Sequence, residues 1–145
     1  MASLGIANLA KGKPAFTVDP PDVPHDYTYL PDSACAVETL LNAPDDAYGQ
    51  AWRVPNAPTR TLWRLLEIAA VALNAPLRLS ELLTAARPLA GLFNRDVAEL
   101  AEMRFHVVRP YCIDHSKFAA RFRADATPFE VGVRATAMAY RSAAV

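Results

Sequence analysis

Glycine is scarce in this sequence, with only 5 among 145 residues, all widely separated. A loop that holds phosphate groups with backbone amides needs closely spaced glycines, so no such loop is predicted. The 12 prolines fall mostly between apolar segments and predict a chain of short elements. The only cysteines, Cys35 and Cys112, lie among apolar residues. We therefore expect two buried, reduced thiols rather than a disulfide or a metal site.

An excess of charge of either sign is also absent, since 15 basic residues balance 15 acidic ones. The arginines are scattered along the chain, which disfavours a nucleic-acid binder. No apolar run approaches the roughly 20 residues of a membrane span. The best candidate, Ile68 to Leu73, is part of an amphipathic helix. With 52% hydrophobic residues and no recognisable signal peptide, we expect one folded cytoplasmic domain over residues 1–145.

Apolar spacing and turn residues predict an α+β fold that is mainly helical with a few short strands. The predicted helices are the end of a helix at Ala2–Ala10, then Ser33–Asn42, Thr59–Asn74, Glu81 to about Arg87, Asp96 to about Phe105, Ser116–Arg123 and Thr127 to about Arg141. The predicted strands are Ala15–Val18, Tyr27–Leu30, Gln50–Val54 and Leu77–Leu79, with Arg109–Ile113 extended. These elements do not alternate regularly between strand and helix, so a free-standing doubly wound sheet is not expected.

Several helix starts carry residues that favour capping. Asp32, Ser80, Asp114 and Thr127 each stand at or just before a predicted helix, and Pro128 suits the first helical position. Apolar residues at helical spacing predict the buried faces, which are Ala34, Val37 and Leu41; Leu62, Leu65, Leu66, Ala69 and Leu73; and Phe129, Val133, Ala137 and Tyr140.

Two short segments concentrate the chemically active side chains: Asp26–Asp32 and Arg109–Phe118. The planar guanidinium of Arg109 suits phosphate or carboxylate binding, with a structural ion pair as the alternative. Tyr111 is a candidate ligand contact or a residue at the edge of the core. The three histidines are too far apart in sequence to predict a metal site. Among them, His25, which lies beside Asp26, is the candidate functional residue.

The order of several motifs resembles the C-terminal, substrate-binding half of an extended short-chain dehydrogenase/reductase of the NAD-dependent epimerase/dehydratase family. The motifs are G-K-P, D-Y-T-Y-L-P-D, G-Q-A-W-R-V-P, T-R-T-L-W-R-L-L-E-I-A, R-P-Y-C-I-D-H-S-K-F and T-P-F-E-V-G-V-R-A-T-A-M-A-Y-R. They cover nearly the whole chain, and their order is more specific than any one of them.

In that family the N-terminal half is a Rossmann domain with a G-x-x-G-x-x-G loop for the cofactor and a Tyr-x-x-x-Lys pair for proton transfer. These 145 residues contain neither motif, because the five glycines are too widely separated to form the loop and none of the five tyrosines has a lysine four residues later. The resemblance therefore implies that this chain alone binds no cofactor and provides no catalytic residue, with NAD(P) expected in the complete enzyme.

The resemblance further implies a sugar or nucleotide-sugar-like small molecule as the ligand. It implies that the segment with His25, Tyr27 and Tyr29 lies beside the substrate cleft, and that Arg109, with Tyr111 nearby, holds the substrate. After this arginine the commonest family pattern has Gly-Asp, whereas this chain has Pro110 and Tyr111. The departure weakens the case for a nucleotide sugar.

Two functions from different classes follow. The chain is the substrate-binding part of an epimerase, dehydratase or reductase, or it is a free-standing, non-catalytic binding or interaction module with the same fold. An unrelated helical interaction protein is a third reading, and it predicts no cleft near Tyr27, Tyr29 and Arg109. We also expect exposed apolar surface, on the initial helix and the final helix, that docks a Rossmann half or a second copy of the chain.

Overall fold

The computed structural model describes residues 2–17, 20–81, 108–123 and 125–143. Its helices are α1 (Ala2–Ala10), α2 (Leu30–Leu41), α3 (Leu62–Leu73), α4 (Ser116–Phe122) and α5 (Phe129–Ala143), with a 3-10 turn at Asp45–Ala47. Its strands are β1 (Ala15–Thr17), β2 (Pro24–His25), β3 (Arg60–Thr61) and β4 (Leu79–Glu81). The predicted α+β class, mainly helical with a few short strands, is confirmed.

Helices α1, α3 and α5 enclose the main core. Every third or fourth residue of α3 is apolar and faces inward, as the sequence pattern predicts. Leu66 and Ala69 of α3 and Ala137 of α5 have no measurable exposure, and Ile6 and Leu9 of α1 are also buried. The buried face predicted for α5 is confirmed, and Ile6 and Leu9 of α1 face the core. The docking role expected for the initial and final helices stays a prediction.

The strands connect distant parts of the chain in two small sheets. Strands β1 and β4 pair in parallel with Ala15 opposite Leu79, and β2 and β3 pair antiparallel with Pro24 opposite Thr61. Helix α3 follows β3 directly. The last residue of β3, Thr61, caps this helix, because its hydroxyl accepts a hydrogen bond from the Arg64 backbone N–H at 3.1 Å.

Helix α2 starts earlier than the sequence predicts. The segment 27–30 is not a strand, because α2 begins at Leu30 with Pro31 in its first turn. Proline suits this position, since its fixed φ matches the helix and its missing N–H would have no helical partner. The predicted cap by Asp32 is wrong, because Asp32 lies inside the first turn and bonds instead to Thr127.

The inward face predicted for α2 is also wrong. Val37 and Leu41 point outward and are 55% and 72% exposed, while Ala36 on the other side of the helix is buried. The prediction that both thiols are buried fails as well, because Cys35 on α2 and Cys112 are free and exposed. Helical spacing identifies an apolar face, but it does not say whether this part of the chain supplies the surface that covers it.

Residues 50–54 form no strand and instead bring Trp52 against α4. The Trp52 indole N–H donates to the Ala47 carbonyl oxygen at 2.8 Å. Its ring meets Phe118 and Phe122 edge-on, with centroids 6.0 and 5.1 Å apart. This aromatic cluster is a second small core, and it fixes α4 beside the loop that follows α2.

The helix predicted from Ser116 is confirmed as α4, whereas the predictions around β4 fail in part. The N-cap residue of α4 is His115 rather than Asp114, and Asp114 accepts the Ser116 backbone N–H at 2.9 Å, which lowers the pKa of its carboxyl. Ser80 and Glu81, predicted to start a helix, belong to β4. The rest of that helix, to about Arg87, and the helix from Asp96 to about Phe105 lie outside the described residues.

Candidate functional site

A cleft of about 410 Å³ opens between residues 26–32 and helix α5. Aromatic rings, hydroxyl groups and two carboxylates line it above an apolar floor from α1 and α3. The described residues around it are Ile6, Asp26, Tyr27, Thr28, Tyr29, Asp32, Ala57, Leu65, Thr127, Phe129, Gly132, Val133 and Thr136. Its volume lies within the range of small-molecule sites.

Two tyrosines from the predicted site line this cleft. The Tyr27 ring packs against Phe129 with centroids 6.3 Å apart, and burial raises the pKa of its phenol to about 12. Tyr27 is therefore neutral over the whole physiological range, able to donate or accept a hydrogen bond. Tyr29 lies against Gly132, where a Cβ atom would approach the Tyr29 Cγ to 3.2 Å. Glycine in α5 lets the tyrosine ring rest on the helix backbone.

The two carboxylates of the cleft act as structural acceptors. Asp26 accepts the Thr59 hydroxyl at 2.6 Å and the Ile113 backbone N–H at 2.5 Å. Asp32 accepts the Thr127 hydroxyl and backbone N–H at 2.6 and 2.9 Å. Each carboxylate joins segments that are distant in sequence, so the walls of the cleft are held by charge-assisted hydrogen bonds.

His25 and Tyr111 come together at the edge of this region through their backbones. They form a parallel bridge in which the Tyr111 N–H donates to the Pro24 carbonyl oxygen at 3.1 Å. The Asp26 N–H in turn donates to the Tyr111 carbonyl oxygen at 2.9 Å. The bridge brings the two chemically rich segments side by side, while the Tyr111 side chain stays exposed.

The predicted site is therefore divided between two neighbouring places. Tyr27 and Tyr29 line the cleft, whereas His25, Tyr111 and the exposed Arg109 are not among the described residues that do. The third reading, which excluded a cleft near these tyrosines, does not agree with this geometry. The roles of all five residues in ligand binding stay predictions.

Sequence reasoning missed the polar residues that complete the cleft. Thr28 lines it and donates its hydroxyl to the side-chain oxygen of Asn56, which is buried. Thr127 was interpreted only as a helix cap, and Thr136 only as part of α5. A signal existed for Thr28 alone, since it lies within the segment Asp26–Asp32.

The charges around the cleft limit what it can hold. The described residues that line it include two aspartates and no lysine or arginine. A diphosphate would meet no cation there, whereas hydroxyl and phenol groups suit a neutral, hydroxylated molecule. Tyr27, Tyr29 and Phe129 also offer aromatic faces to the apolar side of such a ligand.

A second, more open groove of about 870 Å³ lies along the C-terminal half of α3. Arg64 and Glu67, which pair at 3.2 Å, and Arg134 of α5 are among the residues that line it. The groove has an apolar floor that includes Ile68 and is separate from the segments that the sequence singled out.

Clusters of side chains hold metal ions in proteins, and glycine loops hold phosphate groups. The described residues contain no group of three or more His, Cys, Asp or Glu side chains that could hold a metal ion. Gly5 and Gly132 lie inside helices, and Gly12 and Gly49 are isolated at turns with positive φ, so the described glycines form no cradle for NAD(P) phosphates. Among the same residues, no helix is long and apolar enough to cross a membrane.

The fold is similar to that of solved sugar-epimerase structures. UDP-glucuronic acid 4-epimerase from Bacillus cereus, in complex with NAD, matches 98% of this chain at 11% identity with a TM-score of 0.71. The same enzyme in complex with UDP-glucuronic acid and NAD matches 99% at 12% identity with a TM-score of 0.74. RMD from Pseudomonas aeruginosa, complexed with NADPH, matches 98% at 16% identity and a TM-score of 0.63. This chain has the fold of the corresponding part of these proteins, which is mainly helical.

The likeness concerns only part of those proteins, because this chain spans 38–41% of their length. No protein-family model matches the sequence, and no curated protein matches it. The resemblance read from the motifs is confirmed at the level of the fold.

Proposed function

We propose that this chain is the substrate-binding part of an NAD(P)-linked epimerase, dehydratase or reductase that acts on a sugar. The observation that carries the proposal is the structural match over 98–99% of this chain to enzymes solved with NAD, NADPH or a nucleotide sugar. In this proposal a Rossmann portion, in the same or a separate chain, supplies the cofactor site and the proton-transfer pair. NAD(P) then supplies hydride transfer, and the residues of this chain bind and orient the sugar.

The cleft beside α5 is the proposed position of the sugar ring. Tyr27 and Phe129 form an aromatic wall, and the Thr28, Thr127 and Thr136 side chains add polar groups around it. The Asp26 and Asp32 carboxylates already hold the walls together, so they orient the site rather than transfer protons. The absence of a cation among its described lining residues favours the sugar over a diphosphate in this cleft.

Arg109 is the proposed contact for any anionic part of the substrate. It is exposed and lies two residues from Tyr111, whose backbone pairs with His25 at the edge of the cleft. Its guanidinium would reach a phosphate or carboxylate attached to a sugar, with Tyr111 and His25 beside it. The sugar and the anion would thus be recognised by different segments.

Calorimetric titration of the chain with D-glucose, UDP-glucose and UDP tests this assignment. We expect Tyr29→Ala to weaken both glucose and UDP-glucose binding at least fivefold, because it removes a wall of the cleft. Tyr48→Ala, which removes an exposed tyrosine outside the cleft, is the matched control. Arg109→Gln should weaken UDP-glucose and UDP but not glucose. No binding of any of these ligands at 10 mM, a concentration on the order of ten times a weak Kd of 1 mM, would contradict the proposal.

A free-standing, non-catalytic sugar-binding module is the second candidate. It is favoured by the two cleft carboxylates, both of which are engaged in structural hydrogen bonds, and by the raised pKa of Tyr27, which keeps that phenol protonated. Both candidates predict the same binding results. Turnover of UDP-glucose after addition of a Rossmann portion and NAD would support the enzyme over the module.

A further inference from the structure

The outward side of α2 carries a continuous apolar stripe. Leu30 is 79% exposed, Val37 55% and Leu41 72%, and Ala34 is also exposed. These positions are separated by four, three and four residues, so their side chains follow one line along the helix. Ala36 faces the opposite way and is buried. The helix is thus anchored by its inner side and presents its apolar side outward.

Tyr48 extends this stripe beyond the end of the helix. Its hydroxyl donates to the Leu41 carbonyl oxygen at 3.2 Å, and its ring is exposed. We name this surface the α2 face, formed by Leu30, Ala34, Val37, Leu41 and Tyr48. Contiguous apolar surface of this kind on a folded domain marks a site of protein contact.

The charges around the α2 face argue against a second copy of the chain as its occupant. Residues 30–50 contain no lysine or arginine, and the acidic side chains Glu38 and Asp45 are exposed there, whereas Asp32 bonds to Thr127 and Asp46 pairs with Arg121 at 2.8 Å. A twofold interface would bring this acidic rim against itself, which is unfavourable. The surface instead suits a different partner whose apolar patch is bordered by basic residues.

We propose that the α2 face docks the Rossmann portion of the complete enzyme, through an apolar patch bordered by lysine and arginine. This inference rests on the proposed function. The structures that the chain matches are more than twice its length, since it spans 38–41% of them, and two of them are complexed with NAD and one with NADPH. Most of such an enzyme is thus available to cover the α2 face. The contact would place the cofactor portion against the helix that begins at Leu30, next to the cleft.

Site-specific photo-crosslinking in the organism that encodes the chain tests the occupant directly. A photoreactive amino acid replaces Val37 in the α2 face or, as a matched control, Val71 of α3, which is 76% exposed. We expect position 37 to crosslink to a glycine-rich βαβ segment, in the same or another chain, at least tenfold more than position 71. The inference would be overturned if position 37 crosslinked to a second copy, to residues 82–107 or to a protein without a Rossmann domain. It would also be overturned if positions 37 and 71 gave equal crosslink yields or if position 37 gave no crosslink.

A charge substitution separates this inference from the proposed function. Leu41→Asp should lower the crosslink at position 37 at least tenfold and leave D-glucose affinity unchanged, because the α2 face does not line the cleft. Val71→Asp should change neither result, and circular dichroism checks that both variants fold. If glucose binds but position 37 does not crosslink to a Rossmann segment, the docking assignment alone is wrong. If position 37 crosslinks as expected but no sugar binds, the docking assignment stands and the substrate class is wrong.

Discussion

The carboxylate of Asp32 accepts two hydrogen bonds from Thr127, one from its hydroxyl at 2.6 Å and one from its backbone N–H at 2.9 Å. The pair is 95 residues apart in sequence, and it joins the first turn of α2 to the residues just before α5. The cleft lies between residues 26–32 and α5, so this contact holds its two walls together.

Asp32→Asn should destabilise the protein. The amide can still accept one hydrogen bond but loses the charge that strengthens both, so we expect a loss of about 1–2 kcal/mol in the free energy of unfolding. Urea denaturation followed by circular dichroism measures it. The control is Asp45→Asn, at an exposed aspartate in the 3-10 turn, which should change the free energy by less than about 0.5 kcal/mol. Equal effects of the two variants would show that Asp32 does not join the helices.

Tyr27 should make the protein less stable at alkaline pH. Its pKa is about 12 in the folded state and 10.0 without burial, so its contribution is complete below pH 10 and is lost between pH 10 and pH 12. Between pH 9 and pH 11, wild-type protein should lose about 1 kcal/mol more unfolding free energy than Tyr27→Phe. Urea denaturation at both pH values measures the difference. Parallel curves for the two proteins would mean that the phenol ionises normally.

Gly132 should tolerate no larger side chain, because the Tyr29 ring occupies the space that a side chain would need. Gly132→Val is expected to cost about 1–3 kcal/mol and to displace Tyr29 from the wall of the cleft. Thermal unfolding and glucose titration measure the two effects. Ala135→Val, on the exposed side of the same helix, should cost no more than about 0.5–1 kcal/mol and leave binding unchanged. A neutral Gly132→Val would mean that Tyr29 rests elsewhere.

Phe118 should hold α4 against Trp52. It is 1% exposed, so Phe118→Ala is expected to cost about 3–5 kcal/mol and to move Trp52 fluorescence to longer wavelength as the indole meets water. Trp63→Phe removes the other tryptophan so that the emission reports Trp52 alone. Lys117→Ala, on the same helix, removes a cation–ring contact at 4.4 Å and an exposed hydrogen bond to the Ala51 carbonyl oxygen at 3.2 Å, and should cost less than about 1 kcal/mol. Unchanged emission in Phe118→Ala would argue against the aromatic cluster.

The local sequence predicted much of the helical framework. Helical spacing gave the buried faces of α3 and α5, and Gly12 with Pro14 gave the end of α1, because these signals act within a few residues. The motif order also pointed to the fold that the structural comparison confirmed. Tyr27 and Tyr29 could be selected from sequence because both lie within one chemically rich segment.

Contacts between distant residues were decided only by the tertiary structure. Asp32 looked like a cap, but Thr127 reaches it after 95 residues and offers two hydrogen bonds instead of one. Val37 and Leu41 have the spacing of a buried face, yet they are exposed, because periodicity shows that a face is apolar and not what covers it. The sequence alone determined which residues are apolar, aromatic or charged and how they repeat along each helix. The fold decided which of them meet, since hydrogen bonds and burial depend on distances in space that local patterns do not contain.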